Sequence, residues 1–342
     1  MSRKIKGIAI CLMVLLHIFS RDWYIEGAPV WSEYIYKFSA VFKICVGIYA
    51  FLTGYAYFYS TKTVKYGMKK ICSLLEHYWF QLFLIFIPIA CVSGWKLTTK
   101  KLLVNMFGIS PNINFFAWYV YFYVFCMLTM PLWCKILRFN FQIDCVIASA
   151  IPYIIEVFLH SLPIYGDSVI VSDLFNCFLY MPCVLIGFLF AKHNVFERVR
   201  KKLPNNIIIY LGLVIMILLL RLKCSSVFGF CMDVFYVPCM VYSQDRILTK
   251  LKSVKIISNP LTILGKFSTE IWFFHAVFFS TYLKDYFQWI LWIVNNPVLV
   301  FLLCMTLSLG ASIVINRLIL ELEQVFYKVL VCAKEKCSIK RR

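Results

Sequence analysis

Apolar runs close to bilayer-spanning length alternate with short polar intervals from one end of the chain to the other. A helix that crosses the hydrocarbon core needs about 20 mostly apolar residues. On that pattern ten spans are expected, over 6–20, 38–59, 78–95, 115–134, 144–160, 172–191, 206–221, 226–243, 266–282 and 297–319. Pro88, Pro152, Pro182 and Pro238 fall inside them. Neighbouring helices can re-satisfy a freed backbone group, so these prolines predict kinks rather than breaks. The expected fold is all-α, a polytopic membrane bundle. Residues 1–325 form its single transmembrane domain, and 326–342 form a basic cytoplasmic tail.

Composition agrees with the pattern. Of 342 residues, 62% are hydrophobic and 18% aromatic. The mean hydropathy of +0.80 exceeds what a soluble core of this size could hide. The net charge of +19 would suggest nucleic acid in a soluble protein. Here the cations sit in short intervals between apolar runs, which is the positive-inside distribution, so no nucleic-acid partner is expected. With the N-terminus inside, 26 of the 35 Lys and Arg residues fall on the inner side. Both termini are then cytoplasmic. The Lys96/Lys100/Lys101 cluster and the Arg221/Lys223 pair run against the bias. The longest outer segment, 96–114, has room for a short helix. The basic end, Lys340-Arg341-Arg342, is suited to an anionic inner leaflet.

The 15 cysteines lie mostly within apolar runs, without metal-ligand spacing, and read as reduced core residues. Arg3, Lys4 and Lys6 before an apolar stretch resemble a signal peptide. Ser20-Arg21-Asp22-Trp23 follows instead of small residues, so the stretch is expected to remain as a first span. No GxSxG, Walker loop, HExxH or GxGxxG precedes a helix, and no metal is expected.

Ionisable residues expected within spans are His17, Lys43, Glu156, Asp233, Glu270 and His275. Such groups usually face the bundle interior and mark a pathway or a site. Lys6 to His17 reads KGIAICLMVLLH. Eleven residues carry His17 roughly 16 Å from Lys6. His275 lies nine residues after Lys266, in GKFSTEIWFFH. Both helices start on the inner side, so the two histidines reach similar depth and can share a cavity. A neutral imidazole there acts as general base on a hydroxyl or as a core histidine bonded to a neighbouring helix. Lys43 either snorkels to the outer interface or pairs with an acid. Glu270 is expected to pair with Lys266 at i−4. Asp233, near mid-span, could orient a histidine. The segment from Gly47 to Gly54 reads as small residues that let helices approach.

Five stretches, in order, resemble the acyltransferase-3 family of integral membrane O-acyltransferases. Lys6-Gly7-Ile8-Ala9-Ile10 through His17 is similar to its basic-x10-His motif, with Lys where Arg is commoner. That exchange keeps the charge but loses the planar fork. Phe42-Lys43-Ile44-Cys45-Val46 through Ala50-Phe51-Leu52-Thr53-Gly54-Tyr55 resembles the "FLSGY" segment, with Thr53 for Ser. Lys69-Lys70 through Tyr78-Trp79 stands where the family has paired arginines. Phe116-Ala117-Trp118-Tyr119 through Met130-Pro131-Leu132 is similar to the fourth span, and Gly265-Lys266-Phe267-Ser268 through His275 to the late "GxxS…H" motif.

The resemblance implies transfer of an acyl group, commonly acetyl, from cytoplasmic acyl-CoA. The acceptor would be a sugar hydroxyl of a surface glycan or its lipid-linked precursor, at a bacterial plasma membrane. It implies acetyl-CoA as donor substrate and no resident cofactor. His17, Lys6 and His275 would be catalytic, and Lys6, Lys69 and Lys70 would bind the donor. Lys43, Asp233, Glu270 and Ser268 would be supporting polar groups. Independently of the resemblance, buried ionisable residues on several helices suit a polysaccharide or small-metabolite transporter equally well. The lack of an inverted repeat counts mildly against it.

Overall fold

A computed structural model describes residues 2–20, 29–109, 111–165, 168–223 and 232–339, with side chains from 3 to 325. The Arg21–Trp23 flank and the side chains of the tail, with Lys340-Arg341-Arg342, lie outside the described residues. Everything regular among the described residues is helical. In chain order the helices are α1 (Ser2–Ile18), α2 (Glu33–Val41), α3 (Ile44–Phe58), α4 (Val64–Gln81), α5 (Ile87–Val92) and α6 (Thr99–Phe107). There follow α7 (Trp118–Ile136), α8 (Phe141–Ser161), α9 (Val169–Lys192), α10 (Val195–Lys202) and α11 (Ile207–Lys223). The last are α12 (Asp233–Lys250), α13 (Lys255–Lys266), α14 (Ser268–Phe274), α15 (Lys284–Phe287) and α16 (Pro297–Ile339). The short helix expected within 96–114 is α6.

Among the described residues six helical stretches are long and apolar enough to cross a membrane: Glu33–Phe58, Val64–Val92, Phe115–Ile136, Phe141–Ser161, Val169–Lys192 and Pro297–Val325. The other four expected spans are helical over part or most of their described length but shorter or more polar, and residues 226–231 of the expected 226–243 span lie outside the described residues. Helices α1 and α11 have 17 residues each. Helix α12 buries Gln244, Asp245 and Arg246, and the late 266–282 segment breaks at Phe267. Helix α16 continues past 325 without interruption.

The third expected span starts earlier than its apolar run, because α4, a π-turn over Leu82–Phe86 and α5 form one continuous rod. Pro88 lacks an N–H, and its ring excludes a carbonyl one turn back. The widened turn before it absorbs both effects. Pro152, Pro182 and Pro238 sit inside α8, α9 and α12 as expected.

Two glycine crossings bring helices to backbone contact. A Cβ on Gly7 would strike the Leu261 carbonyl, and one on Gly265 would strike the Arg3 carbonyl, so α1 and α13 each need the other's glycine. Likewise Gly54 of α3 lies against the Val184 carbonyl and Gly187 of α9 against that of Phe51. Without a hydrophobic drive between helices in lipid, such close packing holds a bundle together. The cysteines described are free thiols. Helix α8 turns Val146, Ile154, Val157 and Phe158 outward, as a lipid-facing helix does.

Alanine normally stabilises a helix relative to glycine by about 1 kcal/mol. At Gly265 the sign should reverse. Gly265→Ala is expected to destabilise by about 1–3 kcal/mol through overpacking. Gly310→Ala, with no atom within 4 Å of the new methyl, should be neutral or stabilising. Thermal unfolding of both purified variants in detergent checks the contrast.

Candidate functional site

The α1–α13 crossing fixes what lies above it. Gly7 precedes His17, and Gly265 precedes His275, by the same interval along the chain. The two histidines meet. His17 Nδ1 is 2.7 Å from His275 Nε2, with ring centroids 5.0 Å apart and an interplanar angle of 8°. The expected sharing of depth is therefore direct contact. Phe116 covers the pair, 3.9 Å from the His17 ring centroid and 5.4 Å from that of His275. His275 is fully buried, whereas His17 is partly exposed.

The backbone decides the tautomers. His275 begins a 3₁₀ turn (His275–Phe278) at the end of α14, and its Nδ1 lies 3.0 Å from the Ile271 carbonyl oxygen. A carbonyl only accepts, so His275 Nδ1 carries the proton and donates it. In the neutral ring, His275 Nε2 is then a lone pair, and His17 Nδ1–H donates to it. That leaves a lone pair on His17 Nε2. The chain Ile271–His275–His17 thus orients one basic nitrogen, as the third group of a catalytic triad orients its histidine.

A cavity of about 340 Å³ opens beside α1. Lys6, Lys70 and Lys266 supply three ammonium groups to its lining. Ser73 and His77 follow Lys70 on α4, Met13 follows Lys6 on α1, Glu270 and Trp272 come from α14, and Tyr49 of α3 and Tyr119 of α7 complete the lining. Met13 is one turn before His17, and Trp272 is three residues before His275. The inner end of the cavity therefore lies about one helical turn from the histidine pair. Tyr49 donates to the Lys6 carbonyl at 3.2 Å and ties α3 to α1. Ser268 lines the cavity and donates to the Gly265 carbonyl at 3.3 Å, bridging the break at Phe267.

Three expected placements change. Glu270 does not pair with Lys266. Its Oε1 lies 3.0 Å from His77 Nδ1 and accepts from Asn316 Nδ2 at 3.3 Å. The break at Phe267 turns Glu270 toward α4 and α16, and Lys266 Nζ lies over the Phe267 ring at 4.9 Å. Asp233 orients no histidine. It opens α12 and takes a two-point contact from Arg221, Nε to Oδ1 at 2.8 Å and Nη2 to Oδ2 at 2.7 Å. Lys69 is exposed and lies outside the cavity, since successive helical residues point about 100° apart.

Lys43 stands at the break between α2 and α3, within electrostatic range of Arg221, Asp233 and His17. Arg221 also donates to the Val41 carbonyl at 3.1 Å and is buried, so it is not the loop cation its position suggested. Sequence reasoning missed Arg221 and His77. Their signals were an arginine inside an apolar run and a histidine seven residues after Lys70. Among the described residues no cluster of His, Cys, Asp and Glu has the geometry of a metal site.

A family model described as an acyltransferase domain, that of the acyltransferase-3 family, matches residues 5–317. The match takes in Lys6, His17, the cavity lining and His275. No curated protein and no solved structure matches the chain.

The hydrogen-bond chain makes a spectroscopic prediction. In ¹⁵N-histidine spectra at neutral pH, both His17 and His275 should be Nδ1–H tautomers. His275→Ala should release His17 from this form. A His17 ring protonated at Nε2 in the wild type would refute the assignment.

Proposed function

The chain belongs to the acyltransferase-3 family and is a multi-pass membrane acyltransferase, and on that premise we propose that it moves an acyl group, acetyl by preference, from cytoplasmic acyl-CoA to a sugar hydroxyl. The acceptor is a surface glycan or its lipid-linked precursor, the membrane is a bacterial plasma membrane, and both termini are cytoplasmic. The observation that carries this reading is the basic His17 Nε2, one turn beyond a cavity whose other end holds three lysines. The transport reading gives way to the family assignment.

The chemistry follows from the positions. Lys6, Lys70 and Lys266 hold the CoA phosphates, and the thioester arm runs inward between α1, α3, α4 and α14. His17 Nε2 takes the proton of the acceptor hydroxyl as its oxygen attacks the thioester carbonyl. His275 Nε2 accepts from His17 Nδ1–H and stabilises the imidazolium that forms. The tetrahedral adduct expels the CoA thiolate. His17 returns its proton to that sulfur, leaving the ester, free CoA and a neutral imidazole. Positioned proton transfer of this kind is worth about 10²–10⁴-fold in rate.

The test uses the protein in nanodiscs with acetyl-CoA and glycan acceptor, following free thiol and acetylated glycan. His17→Ala should lose about 10²–10⁴-fold in kcat. Lys70→Gln should chiefly raise the KM for acetyl-CoA, by about ten-fold, the worth of one charge-assisted hydrogen bond. Unchanged turnover in a folded His17→Ala protein would remove His17 from the reaction.

A further inference from the structure

Glu270 is the cavity group that the lysines and histidines leave unexplained. It is 4% exposed and lines the cavity. His77 Nδ1 sits 3.0 Å from its Oε1 but off the line of a good hydrogen bond, and Asn316 donates to that same oxygen. The other oxygen, Oε2, is buried without a hydrogen-bond partner among the described residues. Burying a carboxylate oxygen without a hydrogen-bond partner is costly, and this one belongs to a residue on the cavity wall.

The position of Glu270 restricts what can bond it. Four residues, with the break at Phe267 among them, separate it from Lys266. Seven residues, roughly 10.5 Å, separate His77 from Lys70. A ligand entering past the three lysines is therefore anionic at the mouth and must be neutral at the depth of Glu270. A phosphate or carboxylate there would face a fixed carboxylate. What Oε2 needs is a neutral donor, and an amide N–H supplies it. Two residues beyond Glu270 the wall becomes Trp272, with the Tyr119 ring 5.4 Å from it, a surface suited to an uncharged thioester. Five residues, roughly 7.5 Å, separate Glu270 from His275. An ethylene spacer, a sulfur and a carbonyl, with a hydrogen bond at either end, cover a similar distance.

Resting on the acyl-CoA reading above, we propose that Glu270 Oε2 accepts a hydrogen bond from the pantetheine amide next to the donor's thioester. His77 and Asn316 hold the carboxylate from behind. Glu270 is thereby a specificity determinant. It admits donors with an amide at that position and sets how far the thioester advances toward His17. It also rejects donors that carry a second negative charge at that depth.

The test compares acetyl-CoA with its analogue in which the amide next to the sulfur is an ester, so that one N–H becomes an oxygen. Wild-type protein in nanodiscs should bind and use acetyl-CoA about ten-fold or more better, the worth of one hydrogen bond to a charged group. In Glu270→Gln, whose side-chain amide can turn either face to the ligand, that preference should shrink toward unity. Direct calorimetric binding of CoA should persist there, because the lysines remain. A loss of stability alone would weaken both donors equally and leave their ratio unchanged. Equal use of the two donors by the wild type overturns the proposal whether or not the variant folds. A ratio unchanged in folded Glu270→Gln overturns it as well. Wild-type protein that binds no CoA at all would instead overturn the donor reading, and this proposal with it.

Discussion

The crossing of α1 and α13 at Gly7 and Gly265 sets the register on which the site depends. Each glycine lies against a carbonyl of the other helix, so neither can slide without a steric clash. From that point both segments run the same ten residues to a histidine, roughly 15 Å of helical rise along the unbroken α1. Equal intervals from one contact bring the rings together at 2.7 Å. Lys6 and Lys266 each neighbour a crossing glycine, and both line the cavity. The second crossing, of Gly54 and Gly187, holds α3 against α9 and fixes the wall that carries Tyr49 and Thr53. Small residues here locate functional groups by the order in which those groups follow them.

The buried charges divide into two groups with different work. Arg221 and Asp233 neutralise each other through two hydrogen bonds, and the remaining Nη1 of Arg221 donates to Val41. Breaking a buried pair of this kind typically costs 3–5 kcal/mol, because one charge is left uncompensated. This pair joins α11 and α12 to the end of α2, next to the break where Lys43 enters. In the cavity Glu270 has His77 beside it at 3.0 Å, and that contact leaves Oε2 unbonded among the described residues. Three ammonium groups gather at one end, and the carboxylate of Glu270 stands further in. An arrangement that keeps like charges together and leaves a carboxylate oxygen unbonded is poor for stability. A ligand that carries the complementary groups gives it a use.

Much of this was legible in the sequence, for physical reasons that differ from residue to residue. The Lys6–His17 and Lys266–His275 intervals translated directly into depth, because helical rise is nearly constant. The small-residue stretch around Gly54 signalled close packing in the same direct way. Facing was harder to read. Glu270 was assigned a partner by the i−4 rule, which holds within an unbroken helix. The break at Phe267 separates Glu270 from Lys266 and releases it toward His77. Asp233 was placed mid-span because the apolar run hid where α12 begins. Arg221 was read as a loop cation because nothing local revealed a partner twelve residues on. Span number was also less legible than span position. Inner helices shielded by their neighbours can be short or polar, as α1 and α12 are, while outer ones must satisfy the lipid alone.

Placing Lys6 and His17 on one rigid helix has a consequence for catalysis. On the proposed acyl-CoA reading, the backbone positions of the anchoring charge and the base are fixed relative to each other along α1, so donor length would set where the thioester stops. Reactive groups must come within about 3–3.5 Å for a productive encounter, and misplacement by about 1 Å can cost 10²-fold. A long, jointed donor held only by its phosphates would not meet that tolerance, because each free torsion adds uncertainty at its far end. A second fixed point between mouth and base removes most of that freedom. Glu270 occupies that intermediate level, on the helix that continues into His275 and is clasped by α4 and α16. Its attachment to the histidine's own helix means that any shift of the carboxylate carries His275 with it. On that proposal donor register and base orientation form one mechanical unit, with the α1–α13 crossing as its fixed end.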